Sequence, residues 1–354
     1  MKEGRTWTVL ELLQTTEKFF RDRGIDSPRL DAELLLAHVH GCRRIALYTQ
    51  FDRPLAAAEL DEYRELVRKR ASRMPVHYIL GEREFYSLTF KVNENVLIPR
   101  PETELLVERV IALINEPSVR QTDHTDEEVI EYDEVVIPDV PNEDETVGLS
   151  EETEIAPEDE DPAEPDREEV SPEEASTYKH LTIADIGTGS GCIAIALASE
   201  LLGCRLWASD ISEEALAVAR SNFEAIEPPA AIEWFESDLF SSFDPALQRR
   251  FDFIVSNPPY ITETDYESLM PEVRKFEPSH ALLAGVDGLS FYRRLINESP
   301  SWLKPGGWLL LEAGAGQAEQ ILDLASQQGG YSAHTVTKDY AGIQRVVALQ
   351  LTAG

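Results

Sequence analysis

Residues 181–191 read LTIADIGTGSG, a short apolar run that passes directly into three alternating glycines. The run has the length and composition of a buried strand. Glycine adopts the positive φ of a tight turn and lets a ligand approach the backbone at the start of the next helix. The candidate ligand-binding residues of this turn are Asp185, Gly187, Thr188, Gly189, Ser190 and Gly191.

The remaining C-terminal sequence alternates between strand-forming and helical periods. Strands are predicted at 181–186, 205–209, 232–236, 251–256, 308–312, 334–338 and 345–351, and helices at 191–202, 213–226, 288–302 and 317–328. This alternation predicts an α/β fold with a mostly parallel sheet covered on both faces. In such sheets ligands bind beyond the carboxyl ends of the strands.

Two carboxylates follow the second and third of these strands. Asp210 lies nineteen residues after Gly191, where a carboxylate can accept both hydroxyls of a ribose. The alternative for Asp210 is a helix cap. Asp238 can accept from an adenine amino group, or serve only as a turn or cap residue.

The tetrapeptide Asn257-Pro258-Pro259-Tyr260 follows the fourth strand. Two consecutive prolines fix the backbone and remove its N–H donors, so the segment presents acceptors. The Asn257 side-chain oxygen and the Pro258 carbonyl can accept both protons of a planar –NH2 group, while the Tyr260 ring stacks on its face. This arrangement predicts substrate binding by all four residues and catalytic roles for Asn257, Pro258 and Tyr260, with an amide or exocyclic amine as the nucleophile.

The glycine turn, Asp210 and the tetrapeptide, in that order, resemble the class I S-adenosylmethionine-dependent N-methyltransferases. The run VLIPRPETE at 96–104, with EP at 277–278, DGL at 287–289, FYR at 291–293 and KPGG at 304–307, is similar to the HemK/PrmC family. Members of that family are peptide chain release factor glutamine N5-methyltransferases. The resemblance covers about residues 5–115 and 180–351.

The family resemblance implies a domain order and a reaction. The implied parts are a helical substrate-binding domain at 1–75, a β-hairpin linker at 76–100 and a Rossmann-like, seven-stranded methyltransferase domain at 101–354, interrupted by an insertion at about 117–178. The implied reaction moves a methyl group from S-adenosylmethionine to the glutamine of the GGQ loop of a release factor.

Roles for individual residues also follow from the resemblance. The turn from Gly187 to Gly191 holds the methionine end of the cofactor, and Asp210 holds the ribose. Asp238 and Leu239 border the adenine. Asn257 and Pro258 hold the glutamine amide, and Tyr260 packs beside it. Asp185 and Asn257 complete the implied cofactor-binding set.

The N-terminal sequence has helical and hairpin patterns without a catalytic constellation. Helices are predicted from Thr8 to Gly24, from Ser27 to Gly41, and from Pro54 to Pro75. A β-hairpin is predicted within residues 78–98, with its turn at 93–95, and a helix at 102–115.

Negative charge is concentrated in one window. Residues 121–176 hold 24 acidic residues and one basic residue, for a net charge of −23, within a chain of net charge −34. With six prolines and few large apolar side chains, this window is predicted to be disordered. The remainder, at −11, has no basic tract, which argues against direct nucleic-acid binding.

Composition sets further expectations. Three cysteines form no disulfide framework or metal-ligand spacing, so no metal site is expected. The sequence shows no membrane span and no secretory signal, which predicts a cytoplasmic protein, expected here as a monomer.

Four alternatives remain open at this point. A nicotinamide oxidoreductase fits G-x-G-x-x-A at 189–194 but does not need the tetrapeptide. A nucleic-acid amino methyltransferase shares the tetrapeptide chemistry but lacks support from the charge distribution. A second glutamine methyltransferase family acts on a ribosomal protein and differs most at 101–104. A non-catalytic interaction protein would fail to bind S-adenosylmethionine.

Overall fold

The computed structural model of the chain describes residues 6–116 and 178–353. Residues 121–176, for which the sequence predicts disorder, therefore lie outside the described residues. The α-helices of the described ranges are α1 (Val9–Arg21), α2 (Pro28–His40), α3 (Ala57–Ala71), α4 (Val76–Leu80), α5 (Glu104–Asn115), α6 (Cys192–Glu200), α7 (Glu213–Ile226), α8 (Glu263–Ser268), α9 (Pro271–Phe276), α10 (Ser290–Glu298) and α11 (Ala318–Gln328). The strands are β1 (Glu82–Phe85), β2 (Leu88–Lys91), β3 (Thr182–Ile186), β4 (Arg205–Asp210), β5 (Ala231–Glu236), β6 (Phe251–Ser256), β7 (Leu303–Glu312), β8 (Tyr331–Lys338) and β9 (Gln344–Leu351).

Strands β3 to β9 form one seven-stranded sheet in the order β5-β4-β3-β6-β7-β9-β8. Strand β9 runs antiparallel to β7 and β8, and the other neighbours are parallel. Chain order reverses between β3 and β6, where open α/β sheets bind their ligands. The predicted class I methyltransferase fold, with its mostly parallel seven-stranded sheet, is confirmed.

Apolar layers cover both faces of this sheet. Helix α6 is apolar around its whole circumference, and its residues from Cys192 to Ala198 are buried. An all-apolar helix of this kind is stable only between other layers of the core. Its burial fixes the end of the glycine turn that precedes it. Helices α10 and α11 contribute to the hydrophobic cluster on the opposite face.

The N-terminal helices pack around their own apolar cluster. Phe20, Leu35 and Tyr63 are almost completely buried there. Helix α1 begins with a capping box, in which Thr8 Oγ1 accepts from the Glu11 amide at 3.3 Å and the Glu11 carboxylate accepts from the Thr8 amide at 3.2 Å. The three helices predicted in this region are confirmed.

The hairpin is present, but the predicted position of its turn is wrong. Strands β1 and β2 pair antiparallel from Phe85 and Leu88 outward, so the turn lies at Tyr86 and Ser87, both at positive φ. Two central residues at positive φ match the twist of a two-residue hairpin. The Tyr86 amide donates to Glu104 Oε1 at 2.9 Å, which anchors the turn on α5. Residues 93–95 form a separate turn after β2.

Two short helices, α8 and α9, follow the tetrapeptide and have no counterpart in the sequence prediction. Six residues are too few to display a helical period. Within the described ranges, no helix is both long and apolar enough to cross a membrane.

Candidate active site

The loops that follow β3, β4, β5 and β6 meet at the carboxyl edge of the sheet around a cavity of about 290 Å³. Part of its wall comes from the segment before α5, including Leu97, Arg100 and Thr103. Ten of the residues proposed from sequence line this cavity: Gly187, Thr188, Gly189, Ser190, Asp210, Asp238, Leu239, Asn257, Pro258 and Pro259. Asp185, Gly191 and Tyr260 are not among the lining residues.

The glycines of the turn meet two different requirements. Gly187 and Gly189 have φ of 76° and 56°, and a Cβ on either would meet nothing within 4 Å. Backbone conformation therefore requires glycine at these positions, while open space in front of them lets a ligand approach. Gly191 caps α6, and a Cβ there would lie 2.9 Å from Ile195 Cδ1 and 3.1 Å from Ala219 Cβ. Its role is close packing of α6 against α7.

Asp185 supports the turn from beneath. It is fully buried at the end of β3, and its Oδ2 accepts from Thr188 Oγ1 at 2.6 Å and from the Ala194 amide at 3.2 Å. No donor among the described residues reaches its Oδ1. Burial raises the pKa of this carboxyl to about 7. These contacts tie the turn to both β3 and α6.

Asp210 connects the loops after β3 and β4. Its Oδ2 accepts from the Gly189 amide at 2.9 Å, and its Oδ1 accepts from the Ser212 amide at 3.0 Å. Burial raises its pKa. The cap of α7 is Ser212, whose Oγ accepts from the Ala215 amide, so the alternative that Asp210 caps this helix is wrong. Both oxygens keep lone pairs for a ligand.

Asp238 lies at the rim of the cavity. Its Oδ1 accepts from Arg294 Nη1 of α10 at 2.8 Å, and its side chain is 48% exposed. An amino group that bound Asp238 would share the carboxylate with this arginine. Leu239, the next residue, is buried and has φ of 53°.

The Asn257 side chain is held by a chain of hydrogen bonds. Its Nδ2 donates to Thr103 Oγ1 at 3.1 Å, and the Thr103 hydroxyl donates to Glu312 Oε2 at 2.6 Å. No described residue donates to Asn257 Oδ1 or to the Pro258 carbonyl. Two acceptors of adjacent residues therefore remain available at the cavity.

Tyr260 lies behind the tetrapeptide. Its carbonyl accepts from Gln317 Nε2 at 3.1 Å, and a Cβ on Gly314 would come within 2.9 Å of its ring. Burial raises the pKa of its phenol to about 12, so the hydroxyl stays protonated at neutral pH. The stacking role predicted for this ring stays a prediction.

The structure adds residues that sequence reasoning did not assign. Thr103 lies within the family-specific run but had no role, and Glu312 ends the fifth strand of the sheet. Glu312 is buried, and burial raises its pKa to about 7. The rule that functional residues follow the strands could have directed attention to Glu312.

A third missed residue, Asn222, ties the hairpin to the glycine turn. Asn222 of α7 is completely buried. Its Oδ1 accepts from the Lys91 amide at 2.7 Å, and its Nδ2 donates to the Ser190 carbonyl at 2.9 Å. Strand β2 and the glycine turn are thereby held by one side chain.

Arg100 of the cavity wall is held in a comparable way. Its Nη2 donates to Glu277 Oε1 at 2.7 Å, and the Ile98 amide donates to the other oxygen of Glu277 at 3.3 Å. The wall segment is therefore fixed to the segment that follows α9.

Comparisons with known proteins match this chain to methyltransferases, both through family models and through relatives that cover nearly the whole chain. Residues 11–81 match the family described as the PrmC N-terminal domain, and residues 173–273 match the methyltransferase small domain. A release factor glutamine methyltransferase of Rhodopirellula baltica is 39% identical, covering 97% of this chain and 96% of the relative. One of Chlorobaculum tepidum is 38% identical, covering 98% of each. Among solved structures, a release factor-specific protein-(glutamine-N5) methyltransferase of Alicyclobacillus acidocaldarius is 22% identical, and the match covers 74% of this chain and 99% of that one, with a TM-score of 0.33.

Proposed function

Because the chain belongs to the family of release factor glutamine methyltransferases, we propose that it methylates the GGQ-loop glutamine of peptide chain release factors on its side-chain amide nitrogen, N5. The observation that carries the proposal is the Asn257 amide, whose oxygen remains a free acceptor beside the Pro258 carbonyl at the cavity. A planar primary amide has the two protons that such a pair accepts.

The cofactor of the family is S-adenosylmethionine, and the residues of the cavity fit it. Gly187 and Gly189 leave open space for a close approach to the backbone, and Asp210 offers carboxylate lone pairs suited to ribose hydroxyls. Leu239 supplies apolar wall beside Asp238. When bound, the cofactor supplies an electrophilic methyl group on a positively charged sulfur.

The chain's own contribution to the reaction is positioning. An amide nitrogen is a poor nucleophile because its lone pair is delocalised into the carbonyl. Asn257 Oδ1 and the Pro258 carbonyl accept the two N–H protons, polarise these bonds and direct the nitrogen toward the methyl group. The tetrapeptide contains no strong base, so the displaced proton is lost during or after methyl transfer to an acceptor outside it, such as water.

The direct test is to incubate the protein with methyl-labelled cofactor and a release factor that carries the Gly-Gly-Gln loop. Mass spectrometry should locate one added methyl group on the glutamine side chain. A release factor with alanine in place of that glutamine is the matched control and should stay unlabelled. Label found only on ribosomal protein or on RNA would contradict the proposal.

The first prediction concerns Asn257→Ala. Loss of one of two positioned acceptors should lower kcat by roughly 10²–10³-fold, the scale seen when one preorganised polar group is removed. Cofactor binding, measured by calorimetry, should largely survive. Asn115→Ala on the exposed end of α5 is the control and should leave kcat unchanged. Near-full activity of Asn257→Ala would reduce Asn257 to a turn residue.

The remaining parts of the proposal concern domains and partners. The helices before residue 76 would help hold the release factor, with residues 76–100 as linker and 101–354 as the catalytic domain. The enzyme would act as a cytoplasmic monomer without direct nucleic-acid contact, since the chain outside the acidic window has no basic tract. Light scattering on the purified enzyme tests the monomeric state, and the same measurement with added RNA tests the absence of nucleic-acid binding.

A further inference from the structure

We propose that Thr103 and Glu312 are positioning residues, which fix the rotation of the Asn257 side-chain amide so that its oxygen faces the methyl acceptor. This inference rests on the proposed function. Neither residue is proposed to touch the reacting atoms or to transfer a proton. Their effect is to decide which end of the Asn257 amide the substrate meets.

The direction of the hydrogen bonds carries the argument. A threonine hydroxyl has one proton to donate, and an ionised carboxylate can only accept. The Thr103 hydroxyl therefore donates its hydrogen bond to Glu312 Oε2, at 2.6 Å. Because this hydrogen bond uses the only hydroxyl proton, Thr103 Oγ1 can act toward Asn257 only as an acceptor. Asn257 Nδ2 must therefore point toward Thr103 Oγ1, at 3.1 Å.

The opposite rotation of the amide leaves a buried group without its partner. It would place Asn257 Oδ1 against Thr103 Oγ1, two acceptors in contact unless the hydroxyl proton turned away from Glu312. The Glu312 carboxylate would then lose the side-chain donor that it has in the interior. Unsatisfied buried acceptors are strongly disfavoured, so the carboxylate sets the orientation two hydrogen bonds away.

The three groups stand on rigid and buried elements. Thr103 and Glu312 are each only 2% exposed. The register of β6 and β7 pairs Ser256 with Leu311, which brings the following residues, Asn257 and Glu312, side by side. The backbone of Glu312 is held by Tyr292, whose hydroxyl donates to its carbonyl at 2.9 Å.

The orientation matters because the proposed substrate also presents donors. With Oδ1 toward the cavity, Asn257 accepts from the glutamine –NH2 group. With Nδ2 toward the cavity, donor would face donor and the nitrogen would not be held for transfer. Disrupting the relay should therefore lower kcat far more than it changes cofactor binding.

The experiment compares Thr103→Val with Thr103→Ser at pH 8, above the pKa of about 7 of the Glu312 carboxyl. Valine removes both hydrogen bonds with little change in shape, while serine keeps the hydroxyl. We expect Thr103→Val to lower kcat by about 10–100-fold and to leave the Kd for S-adenosylmethionine and the KM for the release factor within about threefold. Thr103→Ser should keep kcat within about threefold of wild type.

Thr182→Val is the matched control, because the Thr182 hydroxyl also donates to a carboxylate, that of Asp252 at 2.9 Å, but at the amino end of β3, away from the cavity. It should leave kcat unchanged even where it lowers the melting temperature. If Thr103→Val does not fold, Glu312→Gln replaces it. The glutamine amide can donate to Thr103, which frees the hydroxyl proton to turn toward Asn257, so kcat should fall by about 3–30-fold.

Two results would overturn the relay while leaving the proposed function intact. One is a folded Thr103→Val or Glu312→Gln enzyme with kcat within threefold of wild type. The other is an equal loss in Thr103→Ser and Thr103→Val, which would assign the effect to packing instead of the hydroxyl. No methylation by the wild-type enzyme would contradict the proposed function, and this inference with it.

Discussion

Buried carboxylates follow or end several strands of the sheet, and each is held by a neighbouring donor. Asp185 accepts from Thr188, Asp210 from two backbone amides, and Glu312 from Thr103. Burial raises the pKa of all three. In each case a carboxylate that helps to shape the cavity is kept in place despite the unfavourable loss of solvent.

The second prediction is a pH dependence of stability that Glu312 produces. A carboxyl whose pKa is higher in the folded than in the unfolded state stabilises the fold while protonated, and this contribution is lost as pH rises toward the folded pKa of about 7. His40 and His77, whose pKa values are lowered chiefly by partial burial, act in the opposite direction. Comparison with Glu312→Gln cancels their effect.

The measurement is denaturant unfolding of both proteins at pH 6 and pH 8. The free energy of unfolding of Glu312→Gln, relative to wild type, should rise by about 1 kcal/mol between these values, because Glu312 ionises only in the wild type and the other titrating groups are common to both proteins. A difference that stays constant with pH would show that Glu312 has an ordinary pKa.

The third prediction concerns Asp210→Ala. The variant loses a carboxylate that accepts from the Gly189 and Ser212 amides and that is proposed to hold the ribose. Cofactor binding should weaken by about 1.5–3 kcal/mol, the scale of hydrogen bonds to charged groups. Asp238→Ala is the comparison and should weaken binding by less than about 1 kcal/mol, because its half-exposed carboxylate already pairs with Arg294. Calorimetry that finds equal Kd values for wild type and Asp210→Ala would contradict the ribose role.

At the scale of elements, helix α9 joins the N-terminal helices to the segment after the tetrapeptide. Arg70 of α3 donates to Asp31 at 2.6 Å and to Glu272 of α9 at 3.1 Å, and Arg73 donates to the same Glu272 oxygen at 2.8 Å. Two cations and two anions are balanced in this largely buried cluster. The balance makes each partner necessary to the others.

The fourth prediction is therefore that Glu272→Gln destabilises the protein strongly. Removing one charge leaves a buried arginine without full compensation, which should lower the free energy of unfolding by about 3–5 kcal/mol. The control is Asp61→Ala, which breaks the exposed pair with Arg64 and should change stability by less than about 1 kcal/mol. Equal melting temperatures for the two variants would show that the cluster does not join the elements.

The elements also show where sequence reasoning succeeds. The seven strands of the sheet and the longer helices were predictable because their apolar periods extend over several residues. The hairpin turn was not, because Tyr86 and Ser87 adopt positive φ without the usual glycine or asparagine, with support from Glu104. Helix α9 was missed because it is short and is held by Arg70 and Arg73, about 200 residues earlier in the chain.

The candidate site was predictable in the same uneven way. Residues that end or directly follow strands, such as Asp210 and Asn257, could be selected from the sequence because parallel strands end at one edge. The partners that orient them could not, because Thr103 and Glu312 are 209 positions apart and meet only through the register of the sheet. A spacing of that length leaves no local pattern.

At the scale of the whole molecule, the cavity belongs to both halves of the chain. Residues of the hairpin-to-α5 segment, such as Val96 and Thr103, form its wall opposite the loops of the sheet. Two side chains attach this segment to the rest of the methyltransferase domain. Asn222 of α7 accepts from the Lys91 amide at the end of the hairpin, and Glu277 accepts from the Ile98 amide and from Arg100. The geometry of the cavity therefore depends on contacts within the described ranges on both sides of the acidic window.

The fifth prediction concerns this window, residues 121–176, for which the sequence predicts a solvated tether. Its 24 acidic residues repel one another, and its few large apolar residues offer little surface for docking. The flanks support the same expectation, since Ile114 of α5 and Tyr178 before β3 pack against one hydrophobic cluster. A replacement linker therefore joins two segments that the core already holds.

Replacing residues 121–176 with a Gly/Ser linker of about 12 residues, which spans roughly 20 Å on average, should leave the melting temperature within a few degrees of wild type. It should also keep kcat within about threefold, under 1 kcal/mol in barrier height. A loss in kcat/KM that disappears at high salt would mean that the negative field steers a basic release factor, because salt screens such an effect. A large loss of stability, or a loss of kcat that persists at high salt, would instead show that the window folds onto the catalytic domain, and the tether prediction would be wrong.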